Sequence, residues 1–289
     1  MTERDDPAIV RLRGVGKRYA ARGRWVLRDV DLDARPATLD YVMGSNGSGK
    51  STLLKIVAGL TRPSAGSVVR GAPVGYAPER QPARVRMTAL AYVITMGRVR
   101  RLTAPVAEAE AHHLLDTLRV RPDPGTAFHE LSKGNRQKTL VAQALMGTPR
   151  LIVLDEPLTA LDAEAAWALA AILVDARAAG SAIVVSGQAP QSAIEADRTL
   201  EVADGAVHVV ARPSSAAPAA PGGRVRIGLV GVGDAIAPGL LDQLGPVRER
   251  AIAEDGSRAV VVVDRAWSDH VIRRALDAGF SIEHVERLP

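Results

Sequence analysis

The stretch Gly44-Ser45-Asn46-Gly47-Ser48-Gly49-Lys50-Ser51 constrains this chain more than any other. It fits G-x-x-x-x-G-K-[ST] once. Its glycines let the backbone curl so that several N–H groups point inward at phosphate oxygens. A helix that starts at the end of such a loop adds its positive N-terminal end. The apolar run at residues 39–43 reads as a strand and residues 50–60 have helical spacing, so the loop sits in strand–loop–helix context. Lys50 is then expected to reach the β- and γ-phosphates of a nucleoside triphosphate, and the Ser51 hydroxyl to ligate Mg²⁺. Thr52 joins them in the first turn. A chance Gly/Ser turn before a helix is the plain alternative, and the flanking strand and helix argue against it.

A second element carries acids. Residues 151–154 are continuously apolar, as in a buried parallel strand, and end in Asp155-Glu156-Pro157. Asp155 at the strand tip can hold Mg²⁺, usually through water. Glu156 can polarise an attacking water as general base. In isolation, two solvated carboxylates at a strand end would be the simpler reading.

Strands are also expected at residues 9–13, 26–32 and 182–186, with helices over 85–121 (interrupted near Pro105), 139–146 and 164–179. Strands alternating with helices imply an α/β domain with a mostly parallel sheet. A Pro/Ala/Ser/Gly-rich stretch at 212–223 reads as a linker. Beyond it, strands at 226–230, 259–263 and 281–285 and helices at 238–244 and 268–278 suggest a small α+β domain. The expected domains are 1–211, with a helical subdomain at about 80–143, and 224–289.

Composition excludes several classes. The chain has no cysteine, which removes disulfides, thiolate zinc sites and cysteine nucleophiles. Net charge is +5, but the basicity rests on scattered arginines, with only five lysines, so no nucleic-acid partner is expected. No apolar run approaches the ~18 residues of a membrane helix. The polar, acidic start (1–7) leads into no signal peptide. A cytoplasmic protein is therefore expected. The glycines at 228–233 miss the third glycine of a dinucleotide loop, where Ile236 stands, and read as a turn. His112, His113 and His270 lack partners at metal-ligand spacing, and Trp167 and Trp267 read as packing residues.

Taken in order, these motifs resemble the nucleotide-binding domain of ABC transporters, from about residue 9 to 210. Leu131-Ser132-Lys133-Gly134-Asn135 looks like the family signature, usually LSGGQ; Ser132 and Gly134 are retained, Lys133 replaces glycine and Asn135 replaces glutamine. By itself this stretch would read as a helix cap by Ser132. The resemblance implies a RecA-like P-loop NTPase core with a helical subdomain. It implies ATP and Mg²⁺ as ligands, and two domains head to tail, each signature touching the ATP of the other. Tyr19 stands where the family stacks an aromatic on adenine. Leu161-Asp162 resembles the D-loop at the dimer interface, and Asp162 also suits a helix cap. Glu79 replaces the usual glutamine of the Q-loop and can face Mg²⁺ or the water. Gln188 takes the place of the switch histidine; it can donate a hydrogen bond to γ-phosphate but carries no proton near neutral pH.

The function implied by the resemblance is that of an ATPase subunit, homodimeric or heterodimeric, that drives a separate transmembrane permease from the inner face of the membrane. The Ser132-Lys133-Gly134 form is similar to that of exporters. Two alternatives stand beside it: a soluble non-transport ABC-type ATPase, and a weakly active member of a heterodimer.

Overall fold

The computed structural model describes residues 8–80, 85–123, 125–188, 194, 196–211, 224–231, 236, 241, 244, 247–253, 255–264 and 268–288. The linker at 212–223, Trp267, positions 232–233, the side chain of His270 and most of the helix expected at 238–244 lie outside them. The chain forms two compact units, Met1–Pro213 and Ser214–Pro289.

The first unit is an α/β layered structure. Strands β1 (Val10–Lys17), β2 (Leu27–Ala34) and β4 (Ala65–Arg70) make an antiparallel sheet in the order β2-β1-β4. The second sheet contains β3 (Leu39–Met43), β5 (Val74–Ala77), β6 (Leu151–Leu154), β7 (Ala182–Gly187), β8 (Arg198–Ala203) and β9 (Ala206–Ala211). Its order is β5-β6-β7-β3-β8-β9, parallel from β5 to β8. Only the edge strand β9 runs antiparallel, joined to β8 through a two-residue turn at Asp204-Gly205. Both of those residues have positive φ, 49° and 83°, which is the demand of a type I′ hairpin turn.

Alternation splits the central strands between two cores. Val42, Val153 and Val184 pack with α1 (Lys50–Val57) and the antiparallel sheet. Tyr41, Ile152, Leu154, Ile183 and Val185 face the opposite way and join α2 (Ala89–Val99), α3 (Ala104–Thr117), α4 (Lys133–Leu145) and α5 (Ala163–Ala178). Leu53, Leu54, Ile56 and Val57 of α1 are completely buried, each worth roughly 1.5–3 kcal/mol. The interruption expected near Pro105 falls at residues 100–103, between α2 and α3, and Pro105 lies in the first turn of α3, where its missing N–H costs nothing. Helix α4 starts at Lys133, well before residue 139, because Ser132 caps it. Strands β4, β5, β8, β9 and β11 had no counterpart among the strands expected from the sequence.

The second unit holds β10 (Arg224–Gly231), β11 (Glu249–Ile252), β12 (Arg258–Asp264), α6 (Ser268–Asp277) and β13 (Phe280–Leu288). Its sheet is wholly antiparallel, in the order β11-β12-β10-β13, the strand order of a split β-α-β module. Val225, Ile227, Leu229, Val261 and Val263 are buried, as are Val271 and Ala275 of α6. Among the described residues, no helix is long and apolar enough to cross a membrane.

Candidate functional site

The loop between β3 and α1 is shaped by its glycines. Gly44 has φ 151°, and a Cβ there would lie 2.6 Å from the Val202 carbonyl oxygen. Gly49 has φ 117° and leads directly into α1, which has no side-chain cap. The first N–H groups of α1 are thus left to an anion. Lys50, only 4% exposed, donates to the carbonyls of Gly44 (2.7 Å) and Ser45 (3.2 Å). Its Nζ also lies 3.5 Å from Glu156 Oε1. The Ser48 N–H donates back to Ser45 O, while the buried Ser48 Oγ has no partner. Ser45, Asn46 and Gly47 form the exposed crest of the loop, and Thr52 is buried in the first turn.

Strand β7 lies between the loop strand β3 and the acidic strand β6, so its tip touches both. Ser186 Oγ donates to Asp155 Oδ1 (2.7 Å) and accepts from the Glu156 N–H (3.0 Å). Asp155 is buried, which pushes its pKa up; hydrogen bonds from Ser186 and Ser51 pull it back down. Its second oxygen, Oδ2, is buried without a hydrogen-bond partner. Glu156 has φ 48°, an uncommon conformation for a residue with a side chain. Thr159 Oγ1 donates to Glu156 Oε2 at 3.3 Å.

Hard oxygen donors facing a buried unpartnered carboxylate oxygen suit a divalent cation. Ser51 and Asp155 meet that description. Among the described residues no group of three His, Asp or Glu side chains comes together to hold a metal. Mg²⁺ needs no such cage; one carboxylate plus substrate phosphates suffices.

The signature residues are built differently. Ser132 Oγ accepts from the Asn135 N–H (3.2 Å) and caps α4, with Ser132 and Lys133 exposed. Gly134 is required by closeness: a Cβ would lie 2.9 Å from the Ala160 carbonyl oxygen. Leu131 is buried and anchors the stretch. Asp162 caps α5 by accepting from the Ala165 N–H (2.9 Å), and its other oxygen takes a 2.5 Å hydrogen bond from Lys138. That contact holds the Asp162 carboxyl below its usual pKa. α4 therefore carries the signature on its first turn and grips the loop before α5 one turn later.

Tyr19 is 66% exposed, with its hydroxyl 3.1 Å from Thr52 Oγ1 and Lys17 Nζ 5.1 Å from its ring centroid. An open aromatic face thus stands beside the phosphate loop. Glu79 is exposed just beyond β5, close enough to Tyr76 to help push that phenol's pKa up after burial and alongside Asp155. Gln188 is exposed on the bend that follows β7. His112 and His113 are exposed on α3, and Trp167 is half-buried on α5.

Sequence reasoning missed Ser186, Lys138 and Gln143. Gln143 Nε2 donates to the Tyr76 carbonyl at 2.6 Å and ties α4 to β5. Packing there is so close that a Cβ on Gly75 would overlap the Ala144 carbonyl oxygen. A polar residue recurring on the buried face of α4 was the available signal for Gln143 and Lys138.

Comparison with known proteins gives a consistent picture. Residues 27–159 match the family model described as "ABC transporter". The macrolide export ATP-binding/permease protein MacB 1/2 of Paracoccus denitrificans (strain Pd 1222) is 36% identical over 232 residues, 73% of this chain and 34% of that protein. The zinc import ATP-binding protein ZnuC of Yersinia pestis bv. Antiqua (strain Antiqua) is 34% identical over 165 residues, 56% of this chain and 62% of that protein. The matches therefore span between one third and two thirds of these relatives' lengths. Among solved structures, an ATP-binding subunit of an ABC transporter superposes with a TM-score of 0.63 at 23% identity, over 70% of this chain and 90% of that one. The dimeric bacterial ABC transporter cassette MJ0796 gives 0.62 at 23% identity, over 69% and 96%. The shared fold is the P-loop NTPase core.

Proposed function

We propose, from the premise that residues 27–159 form an ABC transporter nucleotide-binding domain, that this chain binds and hydrolyses ATP to drive a membrane permease. The observation that carries the reading is the buried Lys50–Glu156 contact beside the unpartnered oxygens of Ser48 and Asp155. A cation, an acid and free donors converge at a helix start, which is the arrangement that phosphoryl transfer to water requires.

In this reading the loop from Gly44 to Gly49 and the start of α1 cradle the phosphates, and Lys50 turns from its loop carbonyls to the β- and γ-phosphates. Ser51 and Asp155 would hold Mg²⁺, with Glu79 beside it. The ion would neutralise phosphate charge. Glu156 accepts the proton of the attacking water, and Gln188 donates to the γ-phosphate. Tyr19 stacks on the adenine. Ser132, Lys133, Gly134 and Asn135, anchored by the buried Leu131, serve the ATP of a second ATPase domain, identical or related, with Asp162 at that interface.

The same reading places the chain in the cytoplasm, on the inner face of the membrane. Residues 87–101 would dock on the permease; Met87 and Val99 expose apolar surface there. The direction we favour is export, on the Ser132-Lys133-Gly134 form; the relatives above are named for export and for import. A weakly hydrolysing role in a heterodimer is the second reading, favoured by Gln188, which carries no proton near neutral pH.

The test is Mg-ATP turnover by wild type and Glu156→Gln. The expected fall is about 100-fold or more. Equal rates would remove Glu156 as general base.

A further inference from the structure

Strand β1 ends at Lys17, two residues before Tyr19, and the chain there is tied to the segment that joins α1 to β4. Lys17 is half-buried, and its ammonium donates to the Arg62 carbonyl at 2.9 Å. Its own carbonyl accepts from the Val26 N–H (2.7 Å). The Arg18 N–H donates to Ser64 Oγ (3.2 Å), which donates back to the Arg18 carbonyl (3.0 Å). The Ser64 N–H in turn donates to the Gly16 carbonyl (2.7 Å). The backbone that delivers Tyr19 is therefore fixed by hydrogen bonds on both sides.

The Tyr19 side chain is held at two points although it is 66% exposed. Its hydroxyl shares a hydrogen bond with Thr52 Oγ1 (3.1 Å), in the first turn of α1. The Lys17 ammonium lies 5.1 Å from the ring centroid, within cation–π range. Arg18, between the two, lies over the Trp25 ring instead, 4.9 Å from its centroid. A cation over a ring takes one of its two faces and leaves the other to a flat ligand. The contact with Thr52 sets that ring beside the phosphate loop. A side chain that is immobilised only on binding weakens association, so a ring fixed beforehand binds a base more tightly.

We propose that Lys17 is a positioning residue for nucleotide binding: its ammonium, anchored on the Arg62 carbonyl, covers one face of the Tyr19 ring and presents the other to the base of ATP. The inference rests on the ATPase reading above, in which Tyr19 stacks on adenine, and adds to it the residue that holds the ring in place.

The experiment measures the affinity of the full chain for Mg-ATP and for Mg-tripolyphosphate, which fills a phosphate loop but carries no base. It compares wild type with Lys17→Met and Lys17→Arg, and repeats Lys17→Met in a Tyr19→Ala background. Methionine keeps an unbranched stem and removes the charge. Lys17→Met should weaken ATP binding about three- to tenfold and change tripolyphosphate affinity less than about twofold. Lys17→Arg keeps a cation over the ring and should hold ATP affinity within about twofold. In Tyr19→Ala, Lys17→Met should change ATP affinity less than about twofold, because residues in contact are not additive. Unchanged ATP affinity in Lys17→Met would overturn the proposal. Equal losses for ATP and tripolyphosphate would overturn it too, since Lys17 would then act as a plain charge. So would a loss that persists in Tyr19→Ala, or one that arginine does not restore. A wild-type chain that binds tripolyphosphate as tightly as ATP would overturn it as well, because the base would add nothing. A wild-type chain that binds neither would instead overturn the parent ATPase reading.

Discussion

Two helix starts in this protein carry candidate phosphate-binding residues, and they are built in opposite ways. α1 begins at Gly49 with no side-chain cap, and the polar groups around it are buried: Lys50, Asp155 and Glu156 are all below one tenth exposed. α4 begins at Ser132 with its own serine cap, and Ser132 and Lys133 stand at the surface. The first start is organised from within the chain, through Ser186 and the β3-β7-β6 strand order. The second is capped already and faces outward. This difference supports the reading in which one half of the site is finished by the fold and the other is offered to a second subunit.

The contrast can be broken first at Ser186. Ser186→Ala leaves Asp155 Oδ1 and the Glu156 N–H without their buried partner. The expected cost is about 1–3 kcal/mol of stability, read by denaturant unfolding, together with lower turnover. A change within 0.5 kcal/mol (roughly the level of an inert surface substitution) would mean that the acids do not depend on the strand between them.

A smaller effect is expected at the outward start. Ser132→Ala should cost about 1 kcal/mol from the lost cap, while ATP affinity of the isolated chain stays unchanged. Reduced ATP binding by the isolated chain would show that the signature serves its own phosphate loop, and the two helix starts would then belong to one site.

The smallest effect concerns the Lys138–Asp162 pair. Asp162→Asn keeps a good capping residue and removes the charge. Because Asp162 is largely exposed, the loss should be about 0.2–1 kcal/mol. Its folded pKa is depressed below the ordinary unfolded value. The pair's contribution is therefore complete above about pH 4 and lost as pH falls through the depressed value. Melting curves of the two proteins should differ at pH 7 and converge in acid; a constant difference would contradict the ion pair.

The phosphate loop and the Asp155-Glu156 tip were legible in the sequence because local spacing alone defines them. Ser186, Tyr41 and Lys138 were not, since each meets residues brought near by strand order or helix packing. Ser186 meets Asp155 from a strand 31 positions away. Tyr41 meets Gly187 only because β3 and β7 are neighbours. The start of α4 had two readings, residue 139 from the apolar spacing and residue 133 from a Ser132 cap, and the cap is the one the structure has. The β8–β9 hairpin had a visible signal, the Asp-Gly turn at 204–205, that went unused.

The central claim is that the buried half-site and the exposed half-site meet in trans when ATP binds. Its most direct test is the solution mass of Glu156→Gln, which should hold ATP without consuming it. Sedimentation with Mg-ATP should give twice the monomer mass, return to the monomer mass without nucleotide, and stay at the monomer mass when Ser132→Arg is added. A protein that binds Mg-ATP yet keeps the monomer mass, or dimerises equally with Ser132→Arg, would contradict the claim.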